Sequence, residues 1–237
     1  MLDYPFLVLC GLVCLPALLV AFLRQDLRVH MVRMACLSLP FALTEFLFYP
    51  AYWEPPFLFD LARKIGFGIE DFLFVAALGA MAIGVYPAVV GKRLRDDSPR
   101  GKQRAIPRMA ILIGCALLLA LGSWWFGMPA IYAAPGIMLA LTVIVLLVWR
   151  QDLWQDAWRS GVATLVVYGA LCFLLEALMP GVFTQYWHTT DWLAPFAGPV
   201  PVEELIYGFA VGFAAAVIYP FAYALTFVKD VRCSKRS

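Results

Sequence analysis

The chain has 237 residues, 63% of them hydrophobic and only 14% charged, with a net charge of +2. A soluble domain carries about 25% charged residues, and apolar runs of roughly 20 residues recur along the whole chain, so the composition excludes an ordinary soluble domain and implies several membrane crossings. Six cysteines are scattered, five of them (Cys10, Cys14, Cys36, Cys115 and Cys172) in apolar runs, and there are two histidines, His30 and His188. Cys10 and Cys14 are four apart with no second pair, so the cysteines read as small buried hydrophobes and no metal is expected.

Seven spans are predicted, at 5–23, 31–50, 69–91, 108–126, 130–149, 161–179 and 202–228. The first, "FLVLCGLVCLPALLVAF", has no basic residue before it and no small-residue cleavage site, and reads as a retained helix rather than a signal peptide. Pro50, Pro107, Pro129, Pro180 and Pro201 mark span ends. The segment "GKRLRDDSPRGKQRAIPR" between the third and fourth spans reads as a solvated loop and topology signal, not a nucleic-acid site. With the N-terminus outside, 16 of the 18 Lys and Arg fall in inner loops and the tail, and only Arg63 and Lys64 fall outside. Basic residues favour the cytoplasmic side, so the expected orientation is N-terminus outside and C-terminus cytoplasmic.

The chain also resembles itself. "FLRQDLRVHMVR" matches "VWRQDLWQDAWR", pairing Arg24 with Arg150 at an offset of 126. "GIEDFLFVAALGAMAIGVYP" matches "PVEELIYGFAVGFAAAVIYP", pairing Glu70 with Glu203 and Tyr86 with Tyr219 at 133, and Glu45 matches Glu176 at 131. Three helices per unit reverse the side of the chain, and the unmatched span at 108–126 restores it. The expected fold is an all-α, polytopic membrane protein of seven transmembrane helices, in a 3+1+3 arrangement of two parallel three-helix repeats. The domains are 1–92 (first repeat), 93–129 (basic linker and connecting helix) and 130–237 (second repeat and tail).

Six acids fall in one layer of this arrangement. Glu45 stands five residues before Pro50, about 7.5 Å from its helix end, and Glu176 four before Pro180, about 6 Å from the same side. Glu70, Asp71, Glu203 and Glu204 open helices that start on that side. An intramembrane carboxylate costs roughly 2.5–3.5 kcal/mol, and clustered carboxylates raise one another's pKa, which favours the protonated form that a general acid needs. The plainer reading is that acids in a first helical turn complement the helix dipole. Six in one layer, duplicated by a repeat, favour function.

Aromatic residues surround the layer. Trp187 and Trp192 read best as an interfacial belt. Phe74, Phe173 and Tyr207 are candidates for a lining that stabilises a carbocation, with Phe46 and Tyr49 as further substrate contacts. Tyr207, at i+4 from Glu203 and i+3 from Glu204, can reach either.

The duplicated motif, the three-helix repeats and the chain's size together resemble the lycopene cyclase domain family, cofactor-free membrane cyclases with two homologous halves, over nearly the whole chain. "PVEELIYGF" is a good match, while "GIEDFLF" has Gly68 where the family has proline and Asp71 in place of the second glutamate. The resemblance implies a lycopene β-cyclase in a bacterial cell membrane, with a lipophilic isoprenoid as substrate, lipid as surroundings and no cofactor. It implies a redox-neutral closure of terminal rings by protonation of an alkene and later deprotonation. Glu203 and Glu70 are then the central carboxyls, Glu204 and Asp71 their partners, and Glu45 and Glu176 support the proton balance; acid and base remain unassigned. The absence of a GxGxxG fingerprint separates the chain from flavin-dependent cyclases. Alternatives are a membrane terpene or meroterpenoid cyclase acting on another prenyl chain, and a small proton-coupled transporter. A retinal protein would need a lysine inside the last helix, which has none before Lys229.

Overall fold

The computed structural model describes residues 3–96, 105–188 and 196–229. Helix α1 (Pro5–Leu23) is followed by α2 (Gln25–Ser38), which continues as a 3-10 segment, Leu39–Leu47. A short helix, α3 (Leu61–Ile65), leads to α4 (Ile69–Val89) and strand β1 (Lys92–Asp96). Then come α5 (Ala105–Trp125), α6 (Ala130–Val148), α7 (Trp154–Leu178) and the short α8 (Val182–Tyr186). Strands β2 (Phe196–Ala197) and β3 (Val200–Pro201) precede α9 (Val202–Tyr223), and β4 (Leu225–Lys229) follows it.

Six helices among the described residues are long and apolar enough to cross a membrane. The second expected span is not one of them: the six helices support a polytopic all-α fold, and the seven-helix 3+1+3 arrangement stays an expectation. The chain is already helical at Gln25, the α-helix stops at Ser38, and Leu39–Leu47 winds as a 3-10 segment before a turn at 48–50. Pro40 explains the change, since it has no N–H to donate to the turn below and its ring crowds the carbonyl four residues back. The last span is also shorter than expected. Helix α9 ends at Tyr223, Ala224 turns left-handed at φ 51°, and residues 225–229 form a strand. Trp192 and much of the basic linker lie outside the described residues.

Helix α4 packs on α1 and α2, and α9 packs on α6 and α7. Both are more deeply buried than any other spanning helix. Small residues permit the close approaches. A Cβ on Gly79 would stand 2.2 Å from Ser38 Oγ, and one on Gly212 would stand 2.3 Å from Thr164 Oγ1. Large apolar side chains point outward on the other helices, including Leu18, Phe22 and Leu118, as hydrocarbon surroundings allow.

At the end opposite the acids, the two "RQDL" stretches take up the same geometry. Arg24 and Arg150 each hold an aspartate two residues on, Asp26 and Asp152, with paired bonds of 2.8–3.0 Å. Each also donates to a distant backbone carbonyl, Arg24 to Lys92 and Arg150 to Leu225. The hydrogen bonds from Arg24 hold the Asp26 carboxyl below the usual range, against its partial burial. Strands β1 and β4 pair antiparallel about Leu94 and Phe227. Tyr86 donates to Asp156 across the bundle, Lys92 Nζ lies 2.5 Å from the same carboxylate, and Tyr219 hydroxyl lies 2.9 Å from His30 Nδ1.

Candidate active site

A long cavity is lined by α2 and its 3-10 extension on one side and by α5 and α6 on the other, with α4 and α9 behind. Its lining runs along α9 from Glu204 to Ile218 and along α5 from Met109 to Trp124. At 1.5 Å per residue, either stretch is about 21–22 Å long. The wall is apolar over most of this length, with Met34, Leu37, Leu78, Leu112, Leu141 and Val211 among its residues. The three carboxyls that line it, Glu45, Asp71 and Glu204, stand at one end, and none of the described lining residues is basic.

Glu204 is buried and accepts three hydrogen bonds. Tyr52 hydroxyl donates to Oε1 at 3.1 Å, Trp187 Nε1 to Oε1 at 3.0 Å and Tyr168 hydroxyl to Oε2 at 2.6 Å. A carboxylate offers roughly four acceptor sites, so one remains for the cavity. The position of Tyr168 depends on Gly208, because a Cβ there would stand 2.7 Å from the tyrosine ring.

Glu45 and Asp71 have a different environment. Glu45 accepts from Trp53 Nε1 at 2.5 Å, and Asp71 Oδ2 accepts from the Gly68 backbone at 2.6 Å, capping α4. Both carboxyls line the same cavity, beside Glu204.

The other three acids turn elsewhere. Glu70 Oε1 accepts from Leu58 N at 2.6 Å and Glu203 Oε1 from Tyr132 hydroxyl at 3.0 Å. Both residues are buried, each with its Oε2 unpartnered among the described residues, and neither lines the cavity. Glu176 accepts from the backbone of Gly181 and Phe183, bracing the turn into α8. Of the aromatic candidates, Phe74 and Tyr207 line the cavity, at corresponding positions of α4 and α9. Phe173, Phe46 and Tyr49 are off its wall: Phe173 is exposed, Tyr49 packs on Phe57, and Phe46 meets Trp124 edge to face.

Tyr168 was not legible as a site residue, since nothing in "GVATLVVYGA" marks its partner; its only signal is a hydroxyl in mid-span, which hydrocarbon would leave unsatisfied. Trp187, expected in an interfacial belt, is buried and donates to Glu204.

The structure is a helical bundle of membrane-spanning type with an apolar cavity that carries carboxyls at one end. Comparison points to a family: residues 129–222 match the family model for lycopene cyclase, which supports a lycopene cyclase domain in that part of the chain. No curated protein and no solved structure matches the chain.

Proposed function

We propose that the protein is an integral-membrane isoprenoid cyclase, a lycopene β-cyclase that closes terminal rings without redox change. The observation that carries this reading is the cavity itself: an apolar channel about 20 Å long, with the Glu45–Asp71 pair and the hydrogen-bonded Glu204 at one end. A linear hydrocarbon lies in such a channel with its terminus among the carboxyls. A proton carried by Asp71 or Glu45 adds to the terminal trisubstituted alkene and leaves a tertiary cation. The neighbouring alkene attacks that cation and closes a six-membered ring. Glu204, oriented by three donors, removes a proton from the ring carbon next to the new cation. One proton is added and one is lost, so the product is an isomer of the substrate. The faces of Phe74, Trp53 and Tyr207 line the same end and stabilise positive charge as it forms.

Glu204 and Asp71 are thus the central carboxyls in this reading, with Glu45 as proton partner, and Glu70, Glu203 and Glu176 position the surrounding backbone and helices. The matched "RQDL" geometry and the antiparallel pairing of β1 with β4 support two halves related about an axis along the membrane normal. The acid end then lies on the outer side of a bacterial cell membrane, in keeping with the basic loops at the other end. A protein transporting a solute would want its acids part-way along a two-sided path, whereas here they stand at one end of an apolar channel. The test is expression in cells that accumulate lycopene, followed by pigment analysis. Cyclic carotene is the expected product; its absence, with the protein folded in the membrane, removes the lycopene reading.

A further inference from the structure

The cavity has one thin wall. Helix α5 is the least buried of the six candidate spans. One face of it lines the cavity through Met109, Leu112, Ala116, Ala120 and Trp124, while Ile111, Leu118 and Trp125 point away and are exposed. It packs on α6 and α9, whereas α2 and its 3-10 extension, across the cavity, pack on α1 and α4. On the 3-10 extension, Leu43 and Phe46 are apolar and exposed, next in sequence to the lining residues Ala42, Thr44 and Glu45. At the acid end the walls meet where Phe46 and Trp124 lie edge to face, with ring centroids 6.3 Å apart. At the other end, Arg108 ties the start of α5 to α9, donating to the Phe221 carbonyl at 3.3 Å and lying over that ring. The acid end of α5 runs into a tight turn at Gly127, φ 73°. The helix is tethered at its basic end and closed by an apolar ring contact at the end where chemistry is proposed.

We infer that this slot is a lateral portal through which a bilayer-dissolved, linear apolar chain reaches the carboxyls, and that Phe46 and Trp124 close it and select what passes. The inference deepens the cyclase reading and rests on it for the identity of the chain. Water never has to be crossed by such a substrate, and separating two aromatic rings leaves no buried polar group unpaired. A single edge-to-face ring contact is weak enough to open thermally.

The test uses the full chain in lipid nanodiscs, with Phe46→Cys and Trp124→Cys combined and the exposed Cys36 and Cys115 replaced by serine. The pair is joined by a short bifunctional thiol reagent. Lycopene dissolved in the disc is the probe, and its uptake is read as quenching of tryptophan fluorescence, with cyclic product measured in parallel. The expected result is loss of both uptake and product on cross-linking, with single-cysteine controls unaffected by the same reagent. Uptake by the fully cross-linked protein at the uncross-linked rate overturns the portal. Uptake that cross-linking blocks, with no cyclic product from any form, keeps the portal and removes the cyclase reading. Trp124→Ala opens the closure without thiols and is expected to speed uptake; unchanged uptake in that variant also overturns the proposal.

Discussion

Trp53 and Trp187 lie with ring centroids 5.1 Å apart and donate their indole N–H groups to different acids, Trp53 to Glu45 and Trp187 to Glu204. Their backbones form a bridge, reinforced by His188 N to Tyr52 O at 2.6 Å and Glu54 N to Tyr186 O at 2.9 Å. Two loops from distant parts of the chain therefore set the spacing of the carboxyls as one unit. Replacing Trp187 with Phe keeps the ring and removes one donor from Glu204. A hydrogen bond to a charged group is worth about 1.5–3 kcal/mol, so cyclic product should form roughly ten- to a hundredfold more slowly. Pigment analysis normalised to protein in the membrane checks this.

Adjacent glutamates provide a sharper comparison. Glu204 lines the cavity and Glu203 turns to Tyr132. Glu204→Gln is expected to lower turnover by about 10²–10⁴-fold, the contribution of a positioned acid or base. Glu203→Gln keeps the hydrogen bond from Tyr132 and should retain most activity. The reverse order in the same pigment assay would move the chemistry to Glu203.

Gly208→Ala tests the support beneath Glu204. The added methyl meets the Tyr168 ring, and overpacking of this kind costs about 1–3 kcal/mol. Activity should fall with it, and Tyr168→Phe, which removes the donor without crowding, should lower activity while leaving the melting temperature closer to that of the parent. Equal melting temperatures and equal activities in all three proteins would dissociate Tyr168 from the site.

At the far end of the bundle, Asp156 accepts from Tyr86 and Lys92. Asp156→Leu leaves the partly buried Lys92 ammonium unpaired, and breaking such a pair costs about 3–5 kcal/mol. Thermal unfolding in detergent should shift down strongly. Product ratios should not change, because Asp71 lies about 22 Å from Tyr86 along α4.

The acid layer, the apolar spans and the matched segments were all readable along the chain, because hydropathy and self-similarity are properties of order. The break at Pro40 was readable too, yet the length of the apolar run concealed it: hydropathy counts residues, whereas a helix also needs each N–H. Which of two adjacent acids faces a cavity is a different kind of question. Glu203 and Glu204 are about 100° apart on the same turn, and only the packing of α9 on α6 and α7 turns one toward Tyr132 and the other toward Tyr168. In the same way, "YW" occurs at 52–53 and again at 186–187, but its role depends on a bridge between loops more than 130 residues apart. Order along the chain sets the depth of a side chain in the membrane, while its direction around the helix, and so its partner, is decided by what packs beside it.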